Sequence, residues 1–300
     1  MNVKFPDCFE DGSAQRITYP AGELQVRISG PVAAQMEAAS LIVTDAIIKN
    51  SADLVSLLLY EDAVAQIVPA ARHVLRLPYL PYARADRRFV YGDCAGLGVL
   101  LEMLTRVGSF NEIQVLDVHN YAAVATNSKI INVSPVHVIR KAVDAFGNSG
   151  MDRVTVLFPD NGAAKRYGED LGAAQYLYAS KKRHPATGVF EGFEVPNSTA
   201  FECDRVLIVD DICDGGGTFT GIAEELLRRG FRGKLGLYVT HGIFSKGTGD
   251  MFSGLRRYFS RFFTTNSFQT VYENGFTTWD AFEALARADR IQERVDSRSV

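Results

Sequence analysis

From Arg205 to Arg228 the chain joins an apolar run (Val206–Val209), two adjacent carboxylates (Asp210, Asp211) and a glycine turn (Asp214-Gly215-Gly216-Gly217-Thr218). A helical pattern follows, with Phe219, Ile222, Ala223, Leu226 and Leu227 on one face. A buried strand feeding through a glycine turn into a helix belongs in a parallel sheet covered by helices, so no other segment restricts the fold as much. Glycines let backbone N–H groups converge on an anion, the helix N-terminus adds positive dipole character, and Thr218 offers a hydroxyl donor. Asp210 and Asp211 suit a different group, because carboxylates accept hydrogen bonds from a cis-diol such as the 2- and 3-hydroxyls of ribose. The combination fits a ribose 5-phosphate group.

The same rhythm runs through the rest of the chain. Leu41–Thr44, His73–Leu77, Ile113–Leu116, Val154–Phe158, Gln175–Ala179 and Leu237–Thr240 read as short buried strands. Ser51 offers an N-cap with Leu54, Val55, Leu58 and Leu59 at helical spacing behind it, and Leu97–Val107 is a further helical pattern. The expected class is α/β: two tandem domains, each a mainly parallel sheet flanked by helices. Phe146–Gly150 reads as the linker, giving domains 1–145 and 146–284. Polar residues follow the strands, with Asp45, Asp117 and His119 in one half and Asp160, Asp210 and Asp211 in the other. That is where open α/β sheets bind ligands.

Composition narrows the ligand class. A chain of 300 residues with net charge −3 lacks the basic balance of a nucleic-acid binder. Cys8, Cys94, Cys203 and Cys213 show no CxxC spacing, which fits thiols in a reducing compartment. The sequence shows neither a signal-peptide layout nor an apolar run of membrane-spanning length, so a cytoplasmic protein without a membrane partner is expected.

Further motifs decide what is done with the ribose phosphate. In chain order they are Tyr19-Pro20-Ala21-Gly22-Glu23, Pro81-Tyr82-Ala83-Arg84-Ala85-Asp86-Arg87-Arg88, Leu116-Asp117-Val118-His119, Phe158-Pro159-Asp160-Asn161-Gly162-Ala163-Ala164-Lys165-Arg166, Lys181-Lys182-Arg183 and Thr240-His241-Gly242-Ile243-Phe244-Ser245. With the glycine loop, they resemble the ordered motifs of ribose-phosphate diphosphokinases (PRPP synthetases), whose domains have the type I phosphoribosyltransferase fold. The resemblance implies Mg2+-dependent transfer of diphosphate from ATP to the 1-hydroxyl of ribose 5-phosphate, releasing AMP.

It also implies residue roles. Tyr19, Glu23, Arg84, Asp86, Arg87 and His119 would bind ATP, and guanidinium groups suit triphosphate because each is permanently charged and can bind two oxygens. His119 and Asp160 would contact the metal. Lys181, Arg183 and His119 would be catalytic, with the polar stretch to Gly192 as a flap. Asp210, Asp211, Asp214, Gly215, Gly216, Gly217 and Thr218 would hold ribose 5-phosphate. A homo-oligomer is implied, with Tyr19 and Glu23 serving the nucleotide pocket of a neighbouring subunit. A C-terminal helix, read from Trp279–Val295, would return to the first domain through 285–300.

The chain also departs from the pattern. Ala85 replaces Gln, Ala21 replaces Asp or Asn, and Asn120-Tyr121-Ala122-Ala123 replaces a Gln-rich continuation. Phe89–Gly98 lacks the basic stretch tied to phosphate regulation. Gly215-Gly216-Gly217 replaces Thr-Ala-Gly, removing two side chains beside the 5-phosphate and leaving room for a larger acceptor such as ADP-ribose. Two other classes stay open: a phosphoribosyltransferase that consumes PRPP, and an inactive regulatory member of the family.

Overall fold

Strands that are apolar at nearly every position need cover on both faces, and here helices supply it. The computed structural model describes residues 1–148, 153–171, 176–184, 187, 189–196, 203–245, 252 and 254–287. The chain divides into two compact units, one of Met1–Val133 plus a segment starting at Ala281, the other of Ser134–Asp280.

The first unit contains β1 (Asn2–Phe5), β2 (Ala14–Thr18), β3 (Leu24–Ile28), α1 (Gly30–Met36), β4 (Leu41–Ala46), α2 (Ser51–Ile67), β5 (Arg72–Leu77), α3 (Gly96–Glu102), β6 (Glu112–Leu116) and β7 (Ile130–Val133). Its sheet has the order β1-β4-β5-β6-β7 with every pair parallel, and β2–β3 forms a separate antiparallel hairpin. Leu57 and Tyr60 of α2 pack with Leu75, Leu77, Ile113 and Val115 in its core. Asn50, one residue before Ser51, is the N-cap of α2: its Oδ1 accepts the Asp53 N–H at 3.0 Å, while Asp53 Oδ2 accepts the Lys49 N–H at 3.0 Å.

The second unit contains α4 (Val136–Phe146), β8 (Val154–Phe158), α5 (Asn161–Leu171), β9 (Tyr176–Tyr178), β10 (Ser180–Arg183), β11 (Phe190–Glu194), β12 (Arg205–Cys213), α6 (Gly217–Arg228), β13 (Lys234–Gly242), β14 (Phe259–Thr265) and β15 (Phe276–Trp279). A parallel sheet of order β15-β14-β13-β12-β8-β9 forms the body, and β10–β11 is a separate antiparallel hairpin. Phe219, Ile222 and Leu226, the apolar face read from the sequence, are buried in its core with Ile208 and Leu237.

Two further boundaries differ from the sequence reading. The units divide at Val133 and Ser134, a helix earlier than Phe146–Gly150. Helix α4 stays with the second unit because Phe146 is buried, edge-on to Phe263 at 6.2 Å and beneath the Arg205 guanidinium. Ser149 and Gly150 lie outside the described residues. Trp279 ends strand β15, paired with Thr265 and stacked on Phe263 at 5.7 Å, so the helix begins at Ala281 instead. The rest of the expected C-terminal helix, from residue 288, and Gln175 also lie outside the described residues. Among the described residues no helix is long and apolar enough to cross a membrane.

Candidate active site

Strand β12 runs through both aspartates to Cys213, so the carboxylates sit at the strand's C-terminal end and not beyond it. The parallel register pairs Ile212 with His241 and Cys213 with Gly242, which lays Thr240–Ser245 beside the glycine turn. There the Cys213 carbonyl accepts the Ile243 N–H at 2.9 Å, and Asp214 Oδ1 accepts the Ser245 N–H at 2.9 Å. Gly216 is left-handed (φ +76°), a conformation that favours glycine, and a Cβ there would meet Leu255 at 3.2 Å. Its carbonyl accepts the Phe219 and Thr220 N–H groups, both at 3.1 Å, as the first acceptor of α6. The N–H groups of Gly217 and half-buried Thr218 precede any intrahelical acceptor and are suited to an anion.

Arg166 stands in one of the motifs, yet the sequence alone assigns it no task; the structure supplies one. Its guanidinium reaches Asp211 Oδ2 at 3.2 Å and Asp210 Oδ1 at 3.6 Å, and its own side chain lies against Tyr167. Asp211 is buried at 3% exposure. Burial first, and then the Asp211 charge, hold the Asp210 carboxyl well above the usual carboxylate range, while Arg166 opposes the shift. Asp160 is exposed and caps α5, its Oδ1 accepting the Ala163 N–H at 2.9 Å.

Lys181 and Arg183 lie on β10, with Lys181 opposite Phe193 and Arg183 opposite Phe190 across a register shift. The Lys181 side chain is exposed. A Cβ at Gly221 of α6 would meet the Phe193 ring at 2.7 Å, so the missing side chain lets the hairpin seat on the helix.

In the first unit, Tyr19 and Glu23 close the β2–β3 turn. The Tyr19 N–H donates to the Glu23 carbonyl at 2.8 Å, and both residues are exposed. Arg84 and Arg87 are exposed as well. Asp86 binds Arg87 through two hydrogen bonds (2.9 and 2.7 Å) and accepts from Asn120 Nδ2 at 2.6 Å. The Arg87 bonds first, then Asn120, hold its carboxyl well below the usual carboxylate range. Asp86 therefore joins the arginine loop to the loop of exposed His119, a tie hidden in the sequence because Asn120 breaks the familiar pattern.

Backbone strain marks the same segments. Among the described residues, three of the four non-glycine residues in the left-handed region, Tyr82 (φ 60°), Asp117 (φ 51°) and Phe244 (φ 44°), belong to the motifs; the fourth, Asn148 (φ 51°), follows α4. Such residues cost about 1–3 kcal/mol each and persist where surrounding contacts impose them, often at functional sites. Phe244 shows the imposing contacts: its ring packs on Phe252 (4.9 Å) and covers Gly242 so closely that a Cβ there would fall inside it. Gly242→Ala is expected to destabilise the protein by about 1–3 kcal/mol, the usual cost of overpacking. Thermal denaturation measures that loss; an unchanged Tm would refute the packing.

Several curated proteins resemble the chain. It is 30% identical over 233 residues to the ribose-phosphate pyrophosphokinase of Thermococcus kodakarensis, covering 76% of this chain and 77% of that one. Identity to the ribose-phosphate pyrophosphokinase of Sulfurisphaera tokodaii is 29% over 230 residues, covering 75% of each. The crystal structure of phosphoribosylpyrophosphate synthetase from Mycobacterium smegmatis shares the fold, with a TM-score of 0.74, 16% identity, and coverage of 98% of this chain and 99% of that one. No family model matches. With strain, glycine loop and paired carboxylates falling in the ordered motifs, and relatives matched over three quarters of its length, the chain belongs to the ribose-phosphate pyrophosphokinase family of enzymes.

Proposed function

We propose that the enzyme transfers diphosphate from ATP, with Mg2+, to the 1-hydroxyl of ribose 5-phosphate, giving phosphoribosyl diphosphate and AMP. The observation that carries this reading is the union, at the C-terminal end of β12, of paired carboxylates and a glycine turn that opens α6. Thr218 and the N–H groups of Gly215–Thr218 hold the 5-phosphate. Asp210 accepts from the ribose hydroxyls, with Asp211 and Arg166 fixing its direction. Asp214 pins the loop through Ser245.

Arg84 and Arg87 bind the ATP phosphates, and Asp86 holds Arg87 in the required orientation. Tyr19 and Glu23, at an exposed hairpin tip, serve the nucleotide pocket of a second copy in a homo-oligomer. Lys181 and Arg183 stabilise charge on the transferring group and the leaving oxygen, since phosphoryl transfer depends on positioning and charge neutralisation.

No group of three or more His, Cys, Asp or Glu that could hold a metal converges among the described residues. A single exposed carboxylate such as Asp160 is enough for Mg2+, which keeps several waters and shares substrate phosphates. Asp160 would supply the carboxylate, and His119 would contact the metal–ATP unit. Bound Mg2+ would neutralise charge on the ATP phosphates.

Incubating the protein with ATP, Mg2+ and ribose 5-phosphate tests the reading. AMP and phosphoribosyl diphosphate in equal amounts are expected. With phosphoribosyl diphosphate and a nitrogenous base supplied instead, their consumption would show a phosphoribosyltransferase, and inertness in every mixture, ADP-ribose as acceptor included, would show a regulatory member. Asp86→Ala is expected to raise the KM for ATP about tenfold with a smaller change in kcat, the loss of an oriented charge contact worth roughly 1.4 kcal/mol. Steady-state kinetics at saturating ribose 5-phosphate checks it.

A further inference from the structure

The glycines of the anion loop have unequal structural needs. Gly216 is left-handed and packs on Leu255, whereas a Cβ at Gly215 or Gly217 would meet no atom within 4 Å, and neither residue has positive φ. Both are exposed, so glycine there keeps one side of the loop open. At Gly217 that open side adjoins a cavity of about 580 Å3, which continues between α6 and the β10–β11 hairpin. Sites for drug-sized ligands occupy about 300–1,000 Å3, so this space exceeds the need of a terminal phosphate.

The cavity walls carry chemistry that a phosphate monoester would leave unused. Phe190 is 48% exposed and held edge-on to Phe193 at 5.2 Å, while Phe193 is seated against Gly221. The exposed Phe190 ring offers a face of the kind on which bases stack, with Phe193 at its edge. Lys182 offers an exposed ammonium whose pairing with Glu191 is long, at 3.7 Å; Arg228 and Arg229 also line the cavity, both bound to Glu225, and Glu191, Glu194 and Glu224 offer carboxylates for hydroxyl donors. A flat ring, an anion and a diol together describe a nucleotide.

We propose that this cavity binds a nucleotide attached to the acceptor's 5-phosphate, so that the enzyme also accepts 5-phosphoribosyl diesters; this rests on reading Asp210–Thr218 as the 5-phosphate site. In the reaction the anomeric oxygen forms a bond to the β-phosphorus of ATP. The bond from that phosphorus to the α,β-bridging oxygen breaks, AMP leaves with that oxygen, and the hydroxyl proton passes to solvent.

The test supplies ATP and Mg2+ with either ADP-ribose or ribose 5-phosphate and identifies products by mass. ADP-ribose carrying an added diphosphate, with AMP, is expected. Phe190→Ala should lower kcat/KM for ADP-ribose about tenfold relative to that for ribose 5-phosphate, the loss of one stacking contact. Product from ribose 5-phosphate alone would overturn this inference and leave the family reading standing. Product from ADP-ribose alone would support it and correct the acceptor. Product from neither would overturn both. Equal loss on the two acceptors in Phe190→Ala would refute the assignment of the cavity.

Discussion

Lys181→Ala is expected to lower kcat by roughly two to three powers of ten, the loss produced by removing one donor aimed at transition-state charge. The side chain is exposed on β10, and the hairpin is seated through Phe193 on Gly221, so the fold does not depend on the lysine. The KM values for both substrates should therefore change little, and Tm should stay as it was. That split identifies an interaction made in the transition state and absent from the ground state. A variant with wild-type turnover at saturating substrates would remove Lys181 from the catalytic machinery. Lys181→Arg, which keeps the charge, should recover part of the rate.

Asp210→Asn should move activity and stability in opposite directions. The Asp210 carboxyl stands well above the usual range because burial and Asp211 disfavour its charge. A carboxyl whose folded pKa is raised contributes stability below its unfolded pKa and loses it as pH climbs through the folded value. The unliganded wild type should thus lose stability as pH rises from the ordinary carboxylate range upward. Asn carries no charge, so the variant should escape that slope and melt at a higher temperature than the wild type at neutral pH. Its kcat/KM for ribose 5-phosphate should fall about 100-fold, in line with replacing a carboxylate acceptor of the sugar hydroxyls by a weaker amide oxygen and a misplaced NH2 donor. Thermal denaturation across pH, with kinetics beside it, checks both. A lower Tm for the variant would show that Asp210 stabilises the fold as an anion.

The sequence exposes features governed by local periodicity. Buried strands such as Val154–Phe158 are legible because a short apolar run between turn signals has to be buried on both faces, and α6 follows from its one-sided spacing. The pairings Asp86–Asn120 and Arg166–Asp211 are not legible, since each joins residues distant in sequence through side-chain reach. Trp279 reads as helical in the sequence and is a strand residue for a related reason: its state comes from the β14 partner and the stack on Phe263, which outweigh local propensity. The strain at Tyr82 and Phe244 has no sequence signal, because nothing about a Tyr or Phe announces a left-handed backbone, and for Asp117 the tolerance of Asp for that region is only a weak one. The motifs locate the chemistry, and the ties that orient it become visible in the folded chain.

The most direct test of diphosphate transfer uses ATP labelled at the β-phosphorus, with ribose 5-phosphate and Mg2+. The expected result is label in the anomeric diphosphate of the sugar product and unlabelled AMP in equal amount. Label retained in ADP, the signature of γ-phosphoryl transfer, would contradict the assigned reaction.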